Sequence, residues 1–289
     1  MKFAVKLNII LAFLLIVWGG MVRNMHAGLA CPDWPLCHGQ IIPPFELLIL
    51  IEWGHRLLAA SVGTLTFGIL LGSLFQPIYR EIIGFQAVWA VVLVITQALL
   101  GALTVKGLLS PKWVALHLAV GLFYFSVLLW MHLGLSKNKS EIYRSLSLGW
   151  KRSLIGLTLL VYVQTVLGGW VAASGAGLAC PDFPMCNGAW IPPLEGLKAI
   201  HFFHRFLALS IFLYGITLLG YAFRYKNILL SRTLFSVVVL IITQIMLGIG
   251  NVLFQIPKLL SMGHLTVATI LFAFLFSITY KVHHVERLS

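Results

Sequence analysis

Eight long apolar runs divide this chain, and they constrain its fold more than any other feature does. The runs are centred near residues 14, 64, 94, 123, 163, 211, 243 and 271, and each approaches or exceeds the about 20 residues that cross a bilayer as a helix. Charged residues make up only 10% of the sequence, against about 25% in soluble domains. A membrane β-barrel would instead show alternating apolar and polar residues. We therefore predict an all-α polytopic membrane protein with eight transmembrane helices.

The distribution of lysine and arginine predicts the orientation of these helices. Most of the 20 Lys and Arg residues lie in one set of loops and chain ends, and such residues are enriched on the cytoplasmic side. We therefore expect both termini to be cytoplasmic, in the inner (plasma) membrane of the cell. The net charge of +12 then reflects topology and contact with the lipid bilayer rather than nucleic-acid binding, because the sequence has no compact basic domain.

An internal repeat organises the chain. Residues 19–46 align without gaps on residues 168–195, so that GLACPDWPLC in the first copy matches GLACPDFPMC in the second. The first apolar run also resembles a secretory signal, but the GLAC that follows it recurs in mid-chain, where no signal could end. Each copy holds four helices, an even number, so both copies cross the membrane in the same sense. We predict two pseudo-symmetric four-helix bundles, residues 1–140 and 141–289, as a parallel tandem repeat.

The four cysteines lie in the two loops that are predicted to face outward, into an oxidising compartment. Cys31 and Cys37, like Cys180 and Cys186, are separated by a Pro-Asp-aromatic-Pro turn that can bring two sulfur atoms within disulfide distance. We predict the bridges Cys31–Cys37 and Cys180–Cys186. A Cys₄ zinc site is the alternative, although its usual spacing is shorter. The sequence leaves open whether the first pair cycles between thiol and disulfide or only braces its loop.

Four of the ten histidines fall at matched positions in the two copies: His55 with His204, and His117 with His264. A single histidine near a helix end is commonly a hydrogen-bonded interface residue. The repeated pair favours another interpretation, because ionisable residues in membranes mark function and bundles place ligands on facing helices. Two imidazoles at similar depth suit axial ligation of a haem iron, whereas zinc would need more ligands. We expect two such pockets near the outer surface.

Residues beside these histidines add to both pockets. Arg56 and Arg205 directly follow His55 and His204, and each could pair with haem propionates or simply anchor a helix end at the membrane surface. Three residues before the histidine, the first copy has Glu52 and the second has His201, on the same helix face. This difference suggests that one site reacts and the other serves it. The alternative is that Glu52 is an acid favoured at a helix N-terminus.

Two glutamines, Gln97 and Gln244, also recur in the two copies. We expect them to form hydrogen bonds across the bundles as packing residues rather than to act as ligands.

Taken together, the CPDWPLC loop, the EWGHR and HFFHR segments, the repeated TQ-x-x-x-G and the second histidine of each copy resemble the haem A synthase family, in its cysteine-containing bacterial type. The likeness extends over nearly the whole chain. It implies an oxidoreductase that converts a methyl group of haem O to a formyl group, giving haem A for terminal oxidases. It also implies a haem O substrate site in the first bundle and a haem b cofactor in the second.

The resemblance further implies roles for single residues. His55 and His117 would be the substrate-side ligands, Glu52 the catalytic acid or base, and His204 and His264 the haem b ligands. Catalysis is associated with the cysteine pair of the first copy, and the second pair would be structural. Relatives commonly have a small Ser/Gly-rich run before the first cysteine, whereas this chain has His26 there. That side chain either shields the reactive pocket or faces water, and we expect the latter.

Two other functions explain the four histidines as well: a di-haem cytochrome b-type electron-transfer protein and a haem carrier. The electron-transfer function does not account for the difference between Glu52 and His201, and two haems on one side of the membrane suit a transmembrane relay poorly. The expected partners are haem O, haem A and the lipid bilayer, with a complex with haem O synthase, a homo-oligomer, the electron acceptor and the oxygen source left open.

Overall fold

The structure is a computed structural model that describes residues 1–136 and 146–284. These residues form eight α-helices and no strand, which confirms the predicted all-α class. The helices are α1 (Lys2–Asn24), α2 (Leu47–Phe75), α3 (Pro77–Lys106), α4 (Pro111–Gly134), α5 (Leu148–Ala173), α6 (Gly196–Arg224), α7 (Ile228–Leu253) and α8 (Lys258–His284). A short 3-10 turn, Ala176–Leu178, follows α5.

All eight described helices are long and apolar enough to cross a membrane, with a mean hydropathy of 1.8 to 2.2 over their most apolar stretch. Many large hydrophobic side chains on their outer surfaces are exposed, such as Phe85 and Phe67. In water such a surface would promote association, whereas in a bilayer it contacts lipid. The chain is therefore a multi-pass membrane protein, as its apolar runs predict.

Short, sharply bounded connections separate several helices. Pro77 and Pro111 occupy the first turns of α3 and α4, where the missing proline N–H removes no helical hydrogen bond. The side chain of Asn227 accepts a hydrogen bond from the backbone N–H of Leu230 and caps α7. These signals fix where the chain leaves one helix and enters the next.

The chain divides into two compact units, Met1–Asn138 and Lys139–Ser289. In the first unit α1 packs on α2 and α4, and α3 packs on α2 and α4. In the second unit α5 packs on α6 and α8, and α7 packs on α6 and α8. Each unit is therefore a four-helix bundle in which neighbours along the chain are neighbours in space. The pseudo-symmetry of the two bundles, and the assignment of substrate to one and cofactor to the other, stay predictions.

A buried polar cluster ties three helices of the first unit together. The Asn8 side-chain amide donates to the hydroxyl of Thr66 (2.9 Å) and to the hydroxyl of Tyr124 (3.1 Å), and these two hydroxyls lie 2.6 Å apart. Thr66 also donates to the Val62 carbonyl. Because the bilayer interior offers no water, a hydrogen bond between helices gives direction to packing that apolar contacts alone leave unspecific.

Tyr124→Phe tests the weight of this cluster. We expect it to lower the free energy of unfolding by about 1 kcal/mol, since it removes the hydroxyl that Asn8 and Thr66 share. Thermal unfolding in detergent measures the change. Tyr221→Phe, on an exposed ring of α6, is the matched control and should have no effect. An equal loss in both variants would contradict the proposed role.

Candidate functional site

Both predicted disulfides form. Cys31 and Cys37 are bonded with their Cα atoms 4.7 Å apart, and Cys180 and Cys186 with theirs 4.5 Å apart. The part of the chain that the structure describes has no free cysteine. The alternative of a Cys₄ zinc site is therefore wrong, because all four sulfur atoms are used in bridges.

An aspartate shapes each cysteine loop from within. The Asp33 carboxylate accepts hydrogen bonds from the backbone N–H groups of His38 (2.6 Å) and Gly39 (2.8 Å). Asp182 does the same for residues 187 and 188. The backbone bond from Gly39, with the further bond from His38, lowers the pKa of Asp33 below its usual value of 3.8. The carboxylate therefore stays charged at neutral pH and holds a tight turn with left-handed backbone at His38.

Arg56 of α2 fastens the first cysteine loop to its helix. One guanidinium nitrogen donates to the carbonyls of Asp33 (2.6 Å) and Leu36 (2.5 Å). The other terminal nitrogen donates to the carbonyl of Cys31 (2.9 Å) and to the carboxylate of Glu52 (2.5 Å). A planar guanidinium with five N–H donors can serve several acceptors at once, which an ammonium group cannot do in the same geometry.

Arg205 of α6 repeats this arrangement in the second unit. It donates to the carbonyls of Asp182 (2.8 Å), Met185 (2.9 Å) and Cys180 (2.6 Å). Its remaining contact differs, because the Nε atom donates to Nε2 of His201 at 3.0 Å. The sequence did not reveal that both arginines hold loop carbonyls. The available signal was their equal separation, 25 residues after the first cysteine of each copy.

Glu52 is buried, with 4% of its surface exposed. One carboxylate oxygen pairs with Arg56, and the other accepts a hydrogen bond from the backbone N–H of Cys31 at 2.9 Å. Helix α2 begins at Leu47, more than one turn before Glu52. The alternative of an acid placed to favour the helix N-terminus is therefore wrong, since that effect falls off within the first turn. The carboxylate is instead fixed between the cysteine loop and α2.

The matched histidines meet in pairs within each unit. In the second unit the rings of His204 (α6) and His264 (α8) have centroids 6.5 Å apart and planes inclined by 69°. In the first unit His55 (α2) and His117 (α4) are close enough to interact electrostatically. Because a metal–imidazole bond is about 2 Å long, the spacing in the second unit leaves room for one metal atom between the rings.

These rings do not serve as structural hydrogen-bonding residues through Nδ1. The Nδ1 atoms of all four are buried, and within the described chain none has a hydrogen-bond partner: His55, His117, His204 and His264. Buried polar groups are normally paired. His132 and His201 also have unpaired buried Nδ1 atoms, but the four histidines named above lie at matched positions of the two bundles, which fits groups held for a ligand. No group of three or more His, Cys, Asp or Glu side chains that could hold a metal ion occurs among the described residues.

Two glutamines hold the backbone of one histidine in each pair. The Gln97 amide on α3 donates to the carbonyl of His117 at 3.0 Å, as expected for a residue that bonds across the bundle. The Gln164 amide on α5 donates to the carbonyl of His204 at 3.0 Å, a residue that the sequence analysis missed. His26 lies exposed in the turn after α1, which agrees with the expectation that it faces water.

Fold and site together define a class: a polytopic helical membrane protein whose two units each bring a pair of histidines together beside a disulfide-closed loop. A family model described as cytochrome oxidase assembly protein (COX15-CtaA) matches residues 3–48 and 44–276. The chain belongs to this family.

Curated relatives carry the name heme A synthase. The protein of Bacillus licheniformis is 33% identical over 220 residues, which cover 73% of this chain and 72% of the relative. That of Shouchella clausii is 32% identical over 276 residues, covering 91% and 90%. That of Halalkalibacterium halodurans is 28% identical over 267 residues, covering 90% and 89%.

Arg56→Lys should loosen the first cysteine loop alone. Each hydrogen bond from a charged donor is worth about 1.5–3 kcal/mol, and lysine cannot reach all four acceptors, so amide exchange in residues 28–40 should accelerate by about tenfold or more. Hydrogen–deuterium exchange with mass spectrometry measures this. Arg205→Lys should do the same to residues 177–189, and Arg80→Lys, on an exposed side chain of α3, should affect neither. Unchanged exchange in both loops would refute the anchoring role.

Proposed function

We propose that this chain is a haem A synthase, an oxidoreductase that converts a methyl group of haem O to a formyl group. Membership of the family and the names of the relatives support the reaction. One observation carries the assignment to a reacting site. Of the two histidine pairs, the first has a buried carboxylate fixed beside it, whereas the second has the neutral acceptor His201 in the equivalent place.

The division of labour between the units follows from this difference. Haem O would bind in the first unit between His55 and His117. A haem b cofactor would bind in the second unit between His204 and His264, where the two rings are spaced for one metal atom. When bound, the haem iron supplies the redox chemistry. The protein supplies ligands, orientation and a surrounding from which helix packing excludes water.

Glu52 is the residue placed to move a proton during methyl oxidation. Converting a methyl to a formyl group replaces two hydrogens on the carbon with one oxygen atom and removes four electrons, which the haem iron chemistry would accept. A carboxylate can take up a proton that leaves the carbon or stabilise positive charge that develops there. Its Oε1 atom is engaged by Arg56 and its Oε2 atom by the Cys31 N–H. These contacts fix the direction of the carboxylate.

The first disulfide acts on the reaction through this same contact. Cys31 contributes the N–H that holds Glu52, and the bond to Cys37 closes the loop that presents it. We therefore assign Cys31 and Cys37 as positioning residues for Glu52. The second bridge, Cys180–Cys186, closes an equivalent loop beside His201. Arg56 and Arg205 directly follow their histidines, and each has one N–H left after its four contacts, with which it would pair with a haem propionate.

The orientation proposed for the chain places both termini in the cytoplasm and both cysteine loops outside the inner membrane. The two formed disulfides support this placement, because such bonds persist in oxidising compartments. In this orientation haem O reaches the first unit from the membrane, either free in the bilayer or from haem O synthase.

Glu52→Gln is the experiment that tests the proposed function. In cells that also make haem O, the variant should bind pigment but form haem A about 10²–10⁴-fold more slowly, the usual contribution of a general acid or base. Extracted haems separated by chromatography provide the measurement. Glu46→Gln, at an exposed position just before α2, is the control and should behave as the parent. Haem A formation at the parental rate in the Glu52 variant would exclude this role.

A further inference from the structure

The Nδ1 atoms of the four paired histidines have no hydrogen bond in the described chain that would orient their rings. A metal-ligating histidine usually donates its second ring N–H to a carboxylate or carbonyl, which fixes the ring direction. Here no Nδ1 atom of the four has such a partner in the described residues, although the His264 ring also faces the backbone carbonyl of Gln244. A ring without that bond is free to rotate about its side-chain bonds unless packing stops it.

A glycine of the neighbouring helix lies against each of the four rings. A β-carbon placed on Gly19 of α1 would lie 3.3 Å from Cε1 of His55, and one on Gly101 of α3 would lie 3.6 Å from Cε1 of His117. In the second unit, a β-carbon on Gly168 of α5 would lie 3.1 Å from His204 Cε1. One on Gly248 of α7 would lie 3.2 Å from His264 Cε1.

The glycines face the ring edges between the two nitrogens. For Gly168 the added carbon would be 3.8 Å from both Nδ1 and Nε2 of His204, and for Gly248 it would be 3.8 and 4.0 Å from those atoms of His264. The nearest atom in every case is Cε1, the carbon between them. The helix backbone therefore borders each ring at the carbon between its two nitrogens, and the nitrogens themselves lie 3.8 Å or more from the added carbon.

We propose that Gly19, Gly101, Gly168 and Gly248 are positioning residues that seat the histidine rings and thereby set the direction of their bonds to iron. This inference rests on the proposed function, because it takes the four histidines as haem ligands. Each glycine lies on the helix that directly precedes its histidine's helix in the same unit. Cε1 is thus the nearest ring atom in all four contacts, which are tight at Gly19, Gly168 and Gly248 and of ordinary length at Gly101.

Hydrogen bonds between neighbouring helices explain why a larger residue in place of a glycine would displace the histidine ring rather than separate the helices. Gln97 and Gln164 hold the carbonyls of His117 and His204 from the helix that also carries the seating glycine. In these two helix pairs, α3 with α4 and α5 with α6, the hydrogen bond joins the helices at the level of the ring and resists their separation by an added methyl group. The methyl group must displace the imidazole edge instead.

A role in general helix packing makes a different prediction from a role in seating the rings. Other helical glycines face open space, and Gly220 of α6 has nothing within 4 Å of its added β-carbon. A contact below 3.4 Å is tighter than nearly all real β-carbon contacts, whereas 3.6 Å is ordinary. Replacement by alanine should therefore perturb the rings in the order Gly168, Gly248, Gly19, with Gly101→Ala close to the parent.

The experiment compares alanine variants of the full chain purified from haem-replete cells, with Gly220→Ala as the matched control. Redox titration of the resident haem and low-temperature electron paramagnetic resonance report the strength and orientation of axial ligation. Gly168→Ala and Gly248→Ala should raise the midpoint potential, because a displaced imidazole donates less to the oxidised iron. They should also weaken haem retention by about tenfold, as loss of ligand-orienting contacts typically does.

Each outcome decides between the alternatives. Spectra and potentials that match the parent in Gly168→Ala and Gly248→Ala, with haem bound, would overturn the seating role while leaving the proposed function intact. A parent that binds no haem would overturn both. If Gly168→Ala loses all pigment but keeps its helix content by circular dichroism, the first unit provides a second comparison. There, retention of haem O is measured in Gly19→Ala and in Gly101→Ala. Equal retention in those two variants would contradict the proposal.

Discussion

The absence of water from the bilayer interior is the constraint on which this structure depends. It forces the backbone into helices that satisfy their own hydrogen bonds, and it makes each polar side chain within those helices costly unless it is paired. The Asn8 amide and the hydroxyls of Thr66 and Tyr124 meet this cost with hydrogen bonds to one another. The two pairs of facing histidines differ, because their buried Nδ1 atoms have no hydrogen-bond partner in the described chain. We propose that they bind a group that the protein does not itself supply.

The second organising feature is a single guanidinium that joins a cysteine loop to a helix in each unit. Arg56 and Arg205 each hold three loop carbonyls, and their fourth contact is where the units differ. In the first unit that contact is the Glu52 carboxylate, and in the second it is the His201 ring. One architecture therefore presents an acid beside one histidine pair and a neutral ring beside the other. A duplicated scaffold can in this way specialise through one side chain.

Much of this arrangement follows from the sequence because its causes are local or periodic. Bilayer thickness sets the length of eight apolar runs, and a six-residue spacing across a proline turn brings Cys31 to Cys37. Other contacts leave no such trace. The acceptors of Arg56 are backbone carbonyls, which any residue carries, and the donor to Glu52 is the backbone N–H of Cys31. Gln164 matches Leu15 in the first copy, so the repeat gave no signal for its bond to His204.

The central claim is that two histidine pairs hold two different haems, one as a substrate and one as a cofactor. Organic extraction and chromatography of pigments from the purified chain test it most directly, with the chain made in cells that contain or lack haem O synthase. The account predicts haem B from both preparations, with haem O or haem A added only where the synthase is present. A colourless protein from haem-replete cells, or haem B alone when haem O is supplied, would contradict it.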